Sequence, residues 1–142
     1  MGRYKFSLSA RIKGMVEWQL EHYHEDKRQL EQYKADLIPS PVQKYSKTAG
    51  CSHGISRSTE DISERIITNA YVLQTERSCR AIETVLERLD RTDSQLVDLV
   101  YWKQSYSAEG AGMKLNLGRT AAYSHINNIL CAIALEMGYI SI

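Results

Sequence analysis

The chain is 142 residues long, the size of one ordinary domain, and its 18 lysines and arginines offset 17 aspartates and glutamates to leave a net charge of +1. A hydrophobic fraction of 43% beside 25% charged residues excludes wholesale disorder and fibrous repeats, while the total charge points to no partner by itself. The longest apolar run, Ile129 to Leu135, is seven residues, far short of the roughly 20 that a bilayer crossing needs.

At the N-terminus, Arg3, Lys5, Arg11 and Lys13 come without an apolar block of signal-peptide length. Cys51, Cys79 and Cys131 are odd in number and scattered, which builds no disulfide framework and fits a reducing compartment. A cytoplasmic protein that does not enter a membrane is expected. Val16, Tyr23, Leu30 and Leu37 then recur every seven residues, with Ile12, Leu20 and Tyr33 on or beside the same stripe. Residues 1–39 read as one long amphipathic helix. Its narrow stripe needs a neighbour, either the second long helix of the same chain or a second copy, giving a homodimer.

Pro39 and Pro41 end that pattern, and residues 40–57, rich in Ser, Lys, Thr and Gly, read as a linker. Ser58-Thr59-Glu60-Asp61 supplies a capping hydroxyl and early acids for a second long helix over 58–89. Its stripe starts as Ile62, Ile66, Ala70 and Leu73 and resumes displaced as Tyr71, Ile82, Val85, Leu86 and Leu89. The two halves are expected to face different partners, one the N-terminal helix and the other the C-terminal domain.

Residues 90–142 carry the most information. Thr92-Asp93-Ser94-Gln95 has capping-box spacing and opens a third helix through Leu96, Leu99, Val100 and Trp102. Ser107 caps a short helix from Ala108 to Leu115; Asn116-Leu117-Gly118 turns the chain; a last helix runs from Arg119 to Met137 and closes at Gly138. The expected fold is all-α: two long helices followed by a helix-turn-helix domain. Ala111, Leu115, Leu117, Ala122, Ile126, Ile129 and Ile133 form its inward set. Helical geometry then places Arg119, Thr120, Tyr123, Ser124 and Asn127 on the opposite face. Arg forks to guanine and Asn to adenine, while Thr, Ser and Tyr meet bases or phosphates; Lys114 and Lys103 are the candidates for flanking phosphates.

The segment Leu96-Val97-Asp98-Leu99-Val100-Tyr101-Trp102-Lys103, followed by Gly112-Met113-Lys114-Leu115-Asn116-Leu117-Gly118-Arg119-Thr120-Ala121-Ala122-Tyr123, resembles the RinA/ArpU-type phage transcriptional activators. The likeness is strongest over residues 92–140; Trp18, His22 and Tyr23 agree more loosely. It implies a C-terminal domain similar to the sigma-factor region that binds the −35 promoter element. It further implies activation of phage late genes, packaging included, through double-stranded promoter DNA and host RNA polymerase. The chain departs from that pattern at Gly118, where a Ser or Thr commonly caps the recognition helix, and at Tyr123 and Ser124, where another Arg or Lys is expected. Gly110 and Gly112 each cost about 1 kcal/mol against Ala in a helix interior.

Other chemistries are poorly served. His22-x-His24 and Cys51-x-His53 hold four nominal zinc ligands, but helical residues two apart point about 200° away from each other, so no metal site is expected. No nucleophile elbow, phosphate loop or dinucleotide fingerprint occurs, and neither an enzyme nor a cofactor is expected. Tyr101, Trp102 and Tyr106 are read as core aromatics at a helix junction in preference to a protein-binding patch. The competing function is a helical adaptor that binds RNA polymerase or another protein without reading DNA. Charge divides unevenly: residues 1–57 carry a surplus of four positive charges, and residues 90–142 a deficit of one.

Overall fold

The structure is a computed structural model that describes residues 7–36 and 59–141, so the expected linker, Leu37, Cys51 and His53 lie outside the described residues. The fold is all-α, with no strand among the described residues. Among the described residues six α-helices follow in order: α1 (Ala10–Glu21), α2 (Tyr23–Asp36), α3 (Thr59–Arg88), α4 (Arg91–Val97), α5 (Ala108–Lys114) and α6 (Arg119–Met137).

The single N-terminal helix of the sequence reading is broken. Ser9 caps α1 through its hydroxyl, and the helix ends at His22, whose φ of −93° and ψ of 4° leave the helical region. The His22 ring nitrogen reaches the Trp18 carbonyl oxygen at 2.7 Å, anchoring the side chain across the last turn. Because the break lies between two stripe positions, the seven-residue repeat survives it, with Val16, Tyr23 and Leu30 all buried. Periodicity alone therefore does not reveal the interruption.

The described residues form two compact units, one of residues 7–24 and 77–141, the other of residues 25–36 and 59–76. This differs from the sequence division at residue 90. The core of the larger unit joins Val16, Leu20 and Tyr23 to Cys79, Ile82 and Val85 of α3, Leu96, Val97 and Tyr101, Ala111, and Ile126, Ile129, Leu130 and Ile133 of α6. The C-terminal helices thus share one core with α1 and the last turns of α3. In the smaller unit the Tyr33 hydroxyl donates to Asn69 at 3.2 Å and Lys34 pairs with Glu76 at 3.1 Å, holding α2 beside α3. Ala70 and Leu73, expected to meet the N-terminal helix, are exposed, as is Tyr71. Tyr71, Val72 and Thr75 line a groove with Leu30 and Tyr33.

The third helix reaches Trp102 as its sequence reading has it, but differs at its start and in the form of its last turn. Its cap is Asp90, whose carboxylate accepts the Asp93 amide at 2.8 Å, so Thr92 already lies inside α4. A π-helical turn over Asp98–Trp102 continues it, closed by the Lys103 amide donating to the Asp98 carbonyl at 2.7 Å. A π turn rephases the helix. Here Tyr101 enters the core, and the Trp102 indole N–H donates to the Leu20 carbonyl at 3.1 Å. Tyr101 donates to Glu17 at 3.0 Å; burial first, then the Glu17 charge, pushes its hydroxyl above the ordinary tyrosine range, so it stays a neutral donor. Trp102 is half-buried, its ring stacked 6.1 Å from Tyr23, whereas Tyr106 is exposed, so the core expectation holds for two of the three aromatics.

Candidate nucleic-acid interface

α5 and α6 are joined by a four-residue turn whose local chemistry is readable in the sequence. Ser107 caps α5, its hydroxyl accepting the Gly110 amide at 3.1 Å. Asn116 adopts a left-handed φ of 60°, and the Leu117 amide returns to the Gly112 carbonyl at 2.7 Å, turning the chain sharply. Gly118 opens α6 with no side-chain cap, as its lack of a hydroxyl dictates. At the far end Gly138, with φ 79°, closes a Schellman motif through the Gly138 amide to Leu135 and the Tyr139 amide to Ala134.

The two helices cross very closely. A Cβ built on Gly112 lies 2.5 Å from the Cβ of Ala122, so only a residue without a side chain fits there. Gly112 is thus a packing residue as well as a weak helix former. Ala122, Ile126, Ile129 and Ile133 are buried as one stripe, and Leu115 and Leu117 are half-buried against the core. Burial of that stripe fixes which side of α6 faces outward.

On the outward side, Arg119, Thr120 and Tyr123 are exposed, and Ser124 and Asn127 are half-buried. The Arg119 guanidinium lies 5.9 Å from the Tyr123 ring centroid, and its Nε is 3.8 Å from Oε2 of Glu109 on α5. Lys114 stands over the Tyr106 ring at 4.9 Å, its ammonium donating to the Tyr106 hydroxyl at 3.3 Å. Lys103 pairs with Asp98 at 3.0 Å on its own segment. Each of the three candidate cations therefore has a partner within the unit. His125, on the flank of α6, meets the buried Asp93 at 2.7 Å and ties α6 to the first turn of α4.

Glu109, Asp98 and the Asp93–His125 contact were not singled out from the sequence. Asp93 sits in the helix preceding the short helix, and nothing in local spacing announces which residue of a later helix it will face; Asp98 meets Lys103 of its own segment across the π turn. Glu109 is the exception: it lies ten residues before Arg119 across a short turn, a separation that an αα connection brings together.

Of the histidines offered for zinc, the two among the described residues have ring contacts. His22 stacks on Trp18 at 4.2 Å, and His24 meets the Trp102 ring edge-on at 4.4 Å. Among the described residues no group of three metal-ligating side chains assembles, and no helix is long and apolar enough to cross a membrane. Compared with family models, curated proteins and solved structures, the chain finds no match.

Proposed function

We propose that this chain is a sequence-specific DNA-binding transcriptional activator of phage late or packaging genes, acting in the host cytoplasm. In this reading the outward face of α6 enters the major groove, with Arg119 and Asn127 on base edges. Thr120, Tyr123 and Ser124 meet bases or backbone, and Lys114 and Lys103 meet flanking phosphates. The observation that carries the reading is that face itself. It is an exposed, polar helix start, backed by a buried stripe and set against a short helix across a four-residue turn. The resemblance of residues 92–140 to RinA/ArpU-type activators supplies the phage context and the partner, host RNA polymerase.

One observation favours the adaptor reading. Met15 and Trp18 are exposed on α1, Trp18 at 57%, and an amphipathic ring held out to solvent is a common anchor for a protein partner. Selection of bound fragments from the parent phage genome, with and without host RNA polymerase, separates the two. The activator reading expects the same sequences to be enriched by the purified protein alone and more strongly with polymerase. Enrichment only with polymerase supports the adaptor. On an enriched fragment, Arg119→Ala is expected to lose about 1–3 kcal/mol of binding free energy with the fold intact, the value of one bidentate base contact. Unchanged affinity and footprint would remove Arg119 from the readout.

A further inference from the structure

We infer that Glu109 sets the specificity of the proposed DNA face, as a positioning residue that acts through Arg119; the inference rests on the DNA-reading proposal above. The pair is formed through Arg119 Nε and Glu109 Oε2 at 3.8 Å, with the side chains 71% and 48% exposed. At that distance the carboxylate attracts the Nε edge without hydrogen-bonding it, a bias on the guanidinium that leaves the two terminal nitrogens as a fork, the geometry that the O6 and N7 of guanine accept. The same carboxylate opposes any contact in which Arg119 serves only as a positive point. Non-specific binding draws its affinity from phosphate neutralisation and counterion release, and an anion beside the contacting cation subtracts from both. Glu109 therefore penalises random DNA and supports the cognate base.

The surroundings fit such a role. Residues 90–142 carry a net deficit of one positive charge, Lys103 is matched by Asp98 at 3.0 Å, and Lys114 is engaged with Tyr106 at 3.3 Å. With so little surplus charge, discrimination on this face has to come from oriented donors rather than from bulk attraction.

The test measures the affinity of wild type, Glu109→Gln, Arg119→Gln and the double variant for an enriched genomic fragment and for a random-sequence duplex of equal length. Thermal unfolding of each confirms the fold. Glu109→Gln is expected to bind the random duplex more tightly and to lower the ratio of fragment to random affinity by about two- to five-fold, the range an exposed ion pair supports. In the Arg119→Gln background the same change is expected to leave the ratio unaltered, since the residue through which it acts is gone. If Glu109→Gln raises both affinities equally, the carboxylate is only a repelling charge and the inference is overturned. A ratio that falls equally with and without Arg119 overturns it too. A wild type that prefers no fragment over random DNA refutes the DNA-reading proposal itself, and this inference with it.

Discussion

Replacing Gly112 by Ala adds one methyl group at the closest approach of α5 and α6. The new Cβ would sit 2.5 Å from the Ala122 Cβ, against the roughly 3.5–4.0 Å at which carbon atoms pack. Both residues are buried, and the opposing atom belongs to a helix rather than to the free end of a long side chain, so relief requires the helices to move apart by about 1 Å. Overpacking of this kind costs about 1–3 kcal/mol, and the better helix propensity of Ala returns about 1 kcal/mol. The expected net loss is about 0–2 kcal/mol, read by thermal unfolding as a fall in Tm of up to roughly 8 °C. Gly14→Ala is the control, because it makes the same chemical change inside α1 where a Cβ meets nothing within 4 Å. It should raise stability by up to about 1 kcal/mol. Combining Gly112→Ala with Ala122→Gly removes the clash, so the first substitution should become favourable in that background. Equal stabilisation by Gly112→Ala and Gly14→Ala would refute the close crossing, and with it the placement of Glu109 beside Arg119.

Other expectations are narrower. Lys114→Ala should weaken binding to cognate and random duplexes alike and reduce the salt slope by about 0.9, the signature of one lost phosphate; an unchanged slope removes that role. Gly118→Ser should stabilise the chain by about 0.3 kcal/mol, since the position has extended backbone, no capping bond and open space for a hydroxyl. A decrease in Tm would mean that α6 does not begin there. Cys79 and Cys131 are buried, and burial pushes the Cys131 thiol above its ordinary range, which depletes the reactive thiolate at neutral pH. Both should resist a soluble thiol reagent until the chain unfolds; rapid labelling of either in native buffer would contradict their place in the core.

Much of the local structure could be read from the sequence because its determinants are local. The Ser107 cap, the left-handed stop at Gly138 and the span of the last helix follow from residues a few positions apart, and the structure has each of them. The outward polar set on α6 was legible for a related reason: an apolar stripe of the right period leaves only one face for Arg119, Thr120 and Tyr123. The start of the third helix misled because Thr92 and Asp90 are both plausible caps, and the Asp90 carboxylate takes the Asp93 amide.

By itself, then, the sequence determined the all-helical class, the α5–turn–α6 spacing and the chemistry displayed at the start of α6. Only the tertiary structure decided that α1 and the end of α3 share a core with the C-terminal helices. It also decided that a π turn rephases Tyr101 and Trp102 onto that core, and that Gly112 is demanded by Ala122. The physical reason is range. Caps and stripes are set by interactions within one or two helical turns, whereas a shared core and a crossing distance depend on atoms far apart in sequence. Composition supplies the near-zero total charge, and short connections distribute it: the turn between α5 and α6 brings Glu109 to Arg119, and the π turn brings Asp98 to Lys103.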